Sequence, residues 1–183
     1  VCSIGVIQNA RELSEELLEN GCANFETMSS GSINSGGLIG ALIAQKSSFV
    51  EGIRYAQEKI EGTMSLAIMT EDSILCARDK SGRLPILIGE RSDGYCFSFE
   101  SFAYQKLGYE TCHELKAGEI LKLTKDGYEI LAEGTDQMKI CTFLWTYYGY
   151  PTACYEGVNV ELMRTRNGEI MAESDMKNGK LPD

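Results

Sequence analysis

The stretch Ser73–Gly89, with the sequence SILCARDKSGRLPILIG, constrains the fold more than any other part of the chain. It begins with an apolar run at Ile74–Ala77 that shows little alternation of apolar and polar residues, which is typical of a strand covered on both faces. A charged turn follows, in which Gly82 is free to take a positive φ. A second apolar run, Ile86–Ile88, comes directly after Pro85, where a missing N–H is tolerated. The pattern predicts a buried hairpin with a charged tip.

The order of the elements around this hairpin predicts an α+β fold. Helices come first, a run of antiparallel strands follows, and a further helix comes near the end. In chain order we predict a strand at Cys2–Ile7, helices that start near Asn9, Ser35 and Ser48, strands at Met64–Thr70, Ser73–Asp79, Pro85–Glu90 and Tyr95–Phe99, a short helix at Ser101–Leu107, a hairpin of Glu119–Thr124 and Tyr128–Ala132, and a helix at Val158–Ser174. A short strand near Phe25 is also expected.

Two of the helix starts have the spacing of a capping box, in which a small polar residue is followed three residues later by glutamate. These are Asn9 with Glu12 and Ser48 with Glu51. Ser35 is predicted to cap the helix between them.

Charge and cysteine usage exclude several classes of function. The formal net charge is −10, and an acidic surface argues against nucleic acid or an anionic membrane as partner. No segment is long and apolar enough to span a membrane. The seven cysteines are widely spaced and odd in number, which favours a reduced, cytoplasmic protein over a disulfide scaffold. The single histidine, His113, leaves almost no room for a His-based triad or metal site, and we predict a loop around it.

The two ends of the chain suggest a piece of a larger protein. Val1 is not an initiator residue, and the first residues lack the basic start and apolar run of a signal peptide. We therefore expect a processed chain or a portion of something longer. The tail from Met176 is polar and is expected to fray.

The composition changes near Met138, and we predict a domain boundary there, with domains at 1–138 and 139–183. The stretch Lys139–Ala153 is dense in aromatic residues and contains the only tryptophan. We predict an aromatic strand at Phe143–Tyr150, which either packs in a core or stacks on a base.

The motif R-D-x-x-G-x-x-P-I-x-I-G at Arg78–Gly89 resembles the RDP-x-G-x-RPL hairpin of class II glutamine amidotransferase domains, and of amidophosphoribosyltransferases in particular. That family has arginine where Leu84 stands here. Further resemblances follow in the family's order, at Phe99–Gly108, Ala117–Ile120 and Cys141–Pro151. The last of these is similar to C-x-FEYVYFARP, the entry into the family's phosphoribosyltransferase domain.

The resemblance implies a fold for each domain. Residues 1–138 would be a partial Ntn-hydrolase-type αββα sandwich, a glutaminase-like domain that lacks its N-terminal part. Residues 139–183 would be the opening strand and helix of a phosphoribosyltransferase-like domain.

The resemblance also implies a degraded glutaminase site. The family's nucleophile is an N-terminal cysteine whose own α-amine acts as base, and its oxyanion hole uses an Asn-Gly pair. Ile4 and Gly5 stand at that pair, and Ser35 stands where the family has the aspartate that holds the α-amino group of glutamine. Since the loss of one oxyanion donor costs roughly 10²–10³ in rate, we expect this chain alone to be inactive.

A few residues are still candidates for site roles. Cys2 is a candidate nucleophile, although Arg78 follows it much sooner than the family's spacing requires. Gly5, Arg78 and Asp79 match family positions near the glutamine site and are candidate substrate-binding residues, with a salt bridge at the turn as the alternative for Arg78 and Asp79.

No cofactor or metal is expected in this chain. Cys141 matches a position that binds an iron–sulfur cluster in some family members, but the other ligands lie far downstream in those proteins. The loop that binds phosphoribosyl diphosphate is absent from the sequence. Magnesium and an iron–sulfur cluster are therefore expected only in a full-length parent.

Three functional hypotheses follow. The first is a fragment of an amidophosphoribosyltransferase-like protein of purine nucleotide biosynthesis that serves scaffolding or regulation. The second is a full-length parent that transfers ammonia from glutamine to phosphoribosyl diphosphate. The third is an interaction module that binds a partner at an exposed sheet face. In each case the expected partner is another copy of the chain, as a homo-oligomer, or a missing N-terminal or C-terminal portion of the same protein.

Overall fold

A computed structural model of the protein describes residues 1–21 and 28–179, so the strand predicted near Phe25 lies outside the described residues. In chain order its elements are β1 (Cys2–Ile4), α1 (Ala10–Glu19), α2 (Ser35–Ile43), α3 (Phe49–Lys59), β2 (Ser65–Met69), β3 (Ile74–Ala77), β4 (Leu87–Arg91), β5 (Gly94–Ser98), α4 (Ser101–Gln105), β6 (Glu110–Glu114), β7 (Ile120–Thr124), β8 (Gly127–Ala132), a π-helix (Leu144–Tyr148), β9 (Cys154–Tyr155), β10 (Val158–Asn159) and α5 (Val160–Lys177). The predicted α+β class is confirmed.

Two antiparallel sheets lie face to face between layers of helix. The first has the strand order β1-β2-β3-β7-β8, and the second has the order β5-β4-β6. Helices α1, α2 and α3 cover the outer face of the first sheet. Helix α4 covers the outer face of the second, where the ring of Tyr104 lies against Gly89. Each sheet therefore has a helical side and a side that faces the other sheet.

Strands β2, β3 and β7 contribute alternate residues to two separate cores, because successive side chains in a strand point to opposite faces. Leu66, Leu75 and Ile120 pack under the helices. Ala67, Cys76 and Leu121 pack between the sheets against a set contributed by the second sheet and its flanks, namely Ile86, Ile88 and Leu115. A strand covered on both faces has no polar side, which explains the unbroken apolar runs.

The predicted hairpin of Ser73–Gly89 is wrong. Strand β3 pairs with β2 and β7 in the first sheet, whereas β4 pairs with β5 and β6 in the second. The segment between them crosses from one sheet to the other, and its first two residues, Arg78 and Asp79, are only 0% and 2% exposed. The two apolar runs and the turn are as expected, but local sequence does not contain the choice of pairing partner.

Of the three predicted helix starts, only Ser48 caps as expected. Its hydroxyl accepts a hydrogen bond from the Glu51 N–H at 3.3 Å. The Asn9 side chain makes no bond within α1 and instead connects the start of α1 to the end of α3, with Nδ2 donating to Lys59 O and Oδ1 accepting from the Glu61 N–H, both at 3.0 Å. The predicted capping box at Asn9 is therefore wrong, because the Asn9 side chain forms its hydrogen bonds with residues 59 and 61 instead.

The start of α2 is one residue earlier than predicted. The side chain of Asn34, not of Ser35, accepts hydrogen bonds from the N–H groups of Gly36 and Gly37, at 2.9 and 3.3 Å. Ser35 is thus the first residue of the helix, with an exposed side chain.

The predicted aromatic strand at Phe143–Tyr150 is also wrong, because Leu144–Tyr148 forms a π-helix. Its wide turn is closed by the N–H of Gly149, which donates to Leu144 O at 2.7 Å. A Cβ at Gly149 would lie 2.3 Å from that same oxygen, so this closure requires glycine. A short hairpin of β9 and β10 follows, and these segments share a small apolar cluster that includes Trp145, Tyr155 and Val160.

Two further predictions need correction. His113 lies in strand β6 and not in a loop, with its Nε2 2.5 Å from the buried carboxylate of Glu119. Helix α5 continues to Lys177 and takes in the start of the predicted frayed tail, while residues 180–183 lie outside the described part. Across residues 1–21 and 28–179, no helix combines the length and apolar character needed to cross a membrane.

Candidate functional site

The predicted site residues Gly5, Arg78 and Asp79 meet at one end of the first sheet. Strands β1 and β2 are antiparallel, with Ile4 opposite Ser65, so β1 ends where β2 begins. Strand β3 ends beside the start of β2, and the Arg78 N–H donates to Glu119 O just before β7 begins. Residues far apart in sequence thereby share one end of the sheet.

Gly5 has a backbone role that only glycine fulfils. Its φ is +144°, and a Cβ there would lie 2.1 Å from the carbonyl oxygen of Thr63. Two hydrogen bonds hold these two backbone segments together. The Thr63 N–H donates to Val6 O at 3.0 Å, and the Val6 N–H donates to Thr63 Oγ1 at 3.1 Å. The glycine is thus explained by close packing of two backbones.

The other predicted site positions lie in β1 and at the start of α2. Ile4 is a half-buried strand residue with no polar side-chain atom, and Ser35 offers a neutral hydroxyl at the exposed start of α2. Cys2 is exposed in β1 opposite Ala67, and because Val1 precedes it, it has no free α-amine of its own. The catalytic role of Cys2 stays a prediction.

Asp79 organises the turn that crosses between the sheets. Its carboxylate accepts hydrogen bonds from the N–H groups of Ser81 and Arg83, at 2.9 and 3.1 Å, and from the Ser81 hydroxyl. The Ser65 hydroxyl, 3.4 Å away, donates to the same group. The backbone oxygen of Asp79 accepts from Gly118 N–H at 2.9 Å. Backbone donors hold this charge inside the protein, in the manner of a capped helix end.

Arg78 is fully buried and connects three parts of the chain. Its Nε and Nη2 donate to the carbonyls of Leu84 and Gly82, at 3.1 and 2.8 Å, and Nη1 donates to Leu115 O just after β6. Nη2 also lies 2.7 Å from Oε1 of Glu156, in the turn between β9 and β10. Arg78 does form an ion pair, but it is a buried pair with a distant hairpin and not a salt bridge at an exposed tip.

Glu114 completes a buried group of three charges with Arg78 and Glu156. Its Oε2 accepts a hydrogen bond from the Glu156 N–H at 3.0 Å. Burial, reinforced by the negative charge of Glu156, raises the pKa of Glu114 to about 7. Beside this group, the Tyr155 hydroxyl donates to Glu100, and burial raises the pKa of the Glu100 carboxyl.

No local sequence pattern indicates this charged group. Its members are separated by dozens of residues, and only the turn Glu156-Gly157 has a local signature. Glu156 takes φ +49° and Gly157 takes φ +72°, as the type I′ turn of a two-residue hairpin requires. The contact of this turn with Arg78 joins residues far apart in the chain, so no local pattern indicates it.

The surroundings of Cys141 do not fit an iron–sulfur cluster. Over the described part of the chain, no group of three or more His, Cys, Asp or Glu side chains is arranged to hold a metal ion. Cys141 is half-buried at the edge of the apolar cluster around Trp145.

Solved structures show the class to which this fold belongs. A glutamine phosphoribosylpyrophosphate amidotransferase from Bacillus subtilis, in complex with ADP and GMP, superimposes with a TM-score of 0.81 at 24% identity, over 94% of this chain and 37% of that one. A structure described as the allosteric regulatory enzyme of purine biosynthesis matches equally well, with a TM-score of 0.81. The fold is that of a portion of a glutamine-dependent amidotransferase.

The chain is also similar in sequence to curated amidophosphoribosyltransferases. The chain is 27% identical to the amidophosphoribosyltransferase of Bacillus subtilis over 187 residues, 29% identical to that of Synechocystis over 174, and 26% identical to that of Rattus norvegicus over 191. These matches cover 92–98% of this chain but only 35–38% of the relatives' length. No protein-family profile matches the chain. The chain is a homologue of amidophosphoribosyltransferases over about that share of their length.

We predict that Arg78→Met destabilises the protein by about 3–5 kcal/mol, because the change leaves the half-buried Glu156 without its cation and three carbonyls without their donor. Urea unfolding followed by circular dichroism measures the loss. Arg166→Met, at an exposed position of α5, removes the same charge and should change the free energy of unfolding by less than about 0.5 kcal/mol. Equal stability of the two variants would show that the buried group does not hold the fold together.

We predict that Glu114 makes the protein less stable as the pH rises. The folded-state pKa of about 7 lies above the ordinary value of 4.5, so the folded protein binds the proton more tightly than the unfolded chain does. This contribution is fully present below about pH 4.5 and is lost as the pH rises past 7, with a total effect on the order of 2 kcal/mol.

The measurement is the free energy of unfolding between pH 5 and 8 for the wild type and for Glu114→Gln. The variant should lose less stability than the wild type over this range. Glu129→Gln, which changes an exposed carboxylate on β8, should leave the wild-type slope intact. Parallel curves for Glu114→Gln and the wild type would refute the role of Glu114.

Proposed function

We propose that this chain is a glutaminase-derived portion of an amidophosphoribosyltransferase-like protein of purine nucleotide biosynthesis. In this portion the glutamine site no longer works, and the fold serves scaffolding or regulation. The observation that carries the proposal is Ile4, a side chain with no donor at the position where the family's oxyanion-binding asparagine would stand. Residues 1–138 would be the partial Ntn-hydrolase-type sandwich, and 139–183 would begin the phosphoribosyltransferase-like domain, in a cytoplasmic protein.

Gly5 is present beside Ile4, which supports a chain that keeps the fold but has lost the catalytic function. Gly5 is required by its φ and by the approach of Thr63, whatever chemistry takes place there. Arg78 and Asp79 likewise have structural partners for their polar groups. A substrate-binding role for Gly5, Arg78 and Asp79 stays a proposal. In that role these residues would shape the loops around the substrate. The changed positions are Ile4, which is half-buried in β1, and Ser35, which is exposed at the start of α2.

The alternative is a full-length parent that is a working amidophosphoribosyltransferase, moving ammonia from glutamine to phosphoribosyl diphosphate. The observation that favours it is the close superposition on such an amidotransferase. In that parent, magnesium and any iron–sulfur cluster would be held by residues outside this chain.

We predict that the purified chain releases no glutamate from glutamine above a buffer blank. The physical reason is the missing oxyanion donor at Ile4 and the missing carboxylate at Ser35. A coupled glutamate assay measures the rate, with the folded state checked by circular dichroism. Release that is abolished by Cys2→Ala, but kept in the matched thiol variant Cys154→Ala, would contradict the proposal and identify Cys2 as the nucleophile.

We also propose that the partner is another copy of the chain or another portion of the same protein. Strands β1 and β5 each pair on one side only within the described residues, and an unpaired strand edge is a template for pairing. Large apolar side chains are exposed around the π-helix and along α5, among them Phe143, Tyr147, Leu162 and Ile170. Patches of this kind usually mark an interface.

We predict that the isolated chain self-associates as its concentration rises. At physiological salt, repulsion between acidic surfaces is screened beyond about 8 Å, so burial of the apolar patch outweighs it. Sedimentation over a wide concentration range measures the mass, and Tyr147→Ser should weaken association relative to Tyr128→Ser on the distant β8. A monomer at every concentration, with no binding of a hydrophobic dye, would contradict the proposed interface.

A further inference from the structure

A cleft of about 530 Å³ opens at the same end of the first sheet, beside the turn that crosses between the sheets. Its walls come from the segment after β1, from the Gly62-Thr63 pair before β2, from the crossing turn and from Lys139. Clefts of this size are typical of sites for small molecules.

The charge of the cleft is opposite to that of the whole chain. The chain has 17 basic and 27 acidic residues, yet the side chains that line this cleft include Lys80, Arg83 and Lys139 and no Asp or Glu. Within the described residues, none of these three cations forms an ion pair with a carboxylate. Three like charges on one concave surface repel one another, and a bound anion would offset that repulsion.

Nearby carboxylates do not neutralise the cleft. Asp79 lies beneath its floor, but it is buried and its oxygens accept from Ser81, Arg83 N–H and Ser65. The side chains of Arg83 and Lys139 make no hydrogen bond to another described residue, so their N–H groups are available to a ligand.

Hydrogen bonds hold the walls of the cleft in place. Thr63 N–H donates to Val6 O at 3.0 Å, which joins the first wall to the second. Lys80 Nζ donates to Ile60 O at 3.1 Å, which joins the second wall to the turn. Lys139 N–H donates to Ser81 O at 2.7 Å, which joins the turn to the last wall. The cations are thus presented by a preformed frame, which lowers the entropic cost of binding.

We propose that this cleft binds the phosphate or diphosphate group of a small molecule. A phosphate group carries up to two negative charges and several acceptor oxygens that point in different directions, so it can meet cations that come from two walls, the crossing turn and Lys139. A single carboxylate has two oxygens in one plane and suits one guanidinium. The Gln8 amide and the Thr63 hydroxyl line the same cleft and add neutral donors for the ligand.

The proposed phosphate site does not depend on the proposed loss of glutaminase function. The cleft adjoins Gly5 and Asp79, two of the candidate glutamine-site residues, but the proposal depends on Lys80, Arg83 and Lys139 and not on Ile4 or Ser35. Failure to bind phosphate would leave the argument about Ile4 unchanged.

The test is calorimetric titration of the full chain with inorganic pyrophosphate, in wild type and in the double variant Arg83→Gln/Lys139→Gln. In water, a charge pair at about 5 Å is worth roughly a fourfold change in affinity, so the loss of two cations should weaken binding at least about tenfold. The matched control is Lys125→Gln/Arg166→Gln, which removes two exposed positive charges elsewhere and should leave the affinity within about twofold.

Three results would overturn the proposal. One is the absence of detectable binding at a pyrophosphate concentration of about 10 mM in physiological salt. Another is equal weakening in both double variants, which would mean that only net charge matters. The third is citrate binding as tightly as pyrophosphate, which would show a site for polyanions in general. Thermal unfolding with inorganic phosphate repeats the comparison, and binding to the cleft should raise the melting temperature of the wild type more than that of the Arg83→Gln/Lys139→Gln variant.

Discussion

The buried guanidinium of Arg78 is the interaction on which the rest of the structure depends. It lies where the chain leaves the first sheet for the second, and its acceptors come from the crossing turn, from the end of β6 and from the β9–β10 hairpin. Taking a guanidinium out of water costs several kcal/mol unless its donors are satisfied. The fold is therefore stable only when these three segments are in place together, and the pairing of the sheets is coupled to the position of the C-terminal hairpin.

The same coupling explains why the C-terminal segment places the charged side chain of Glu156 against Arg78. Glu156 supplies the counter-charge for Arg78, and its N–H binds Glu114, whose pKa is raised to about 7. The Tyr155–Glu100 bond adds a second polar contact between this segment and the residues before α4. Trp145 and Tyr155 pack together in the apolar cluster of the same segment. The segment that the sequence predicts to open a second domain thus supplies a counter-charge to the buried Arg78.

Catalytic and structural requirements separate at the end of the first sheet. Gly5 and the pair Arg78-Asp79 match the family and have partners or backbone constraints that keep them as they are. Ile4 is half-buried in β1, and Ser35 is exposed at the start of α2. Next to them lies a cleft whose cations have no carboxylate partner among the described residues. The fold of an amidotransferase portion is retained, and we propose that this end of it binds an anion in the cleft.

Sequence by itself determined the class of the fold, the apolar runs of β2, β3 and β7, the start of α3 at Ser48 and the likeness to amidophosphoribosyltransferases. These depend on local periodicity, on turn residues and on motif order, all of which are written along the chain. It did not determine that β3 and β4 belong to different sheets, that Asn9 bonds to α3, that Leu144–Tyr148 winds as a π-helix, or that Glu114 and Glu156 meet Arg78. Only the tertiary structure decided these, because each depends on which distant group satisfies a buried donor, acceptor or charge.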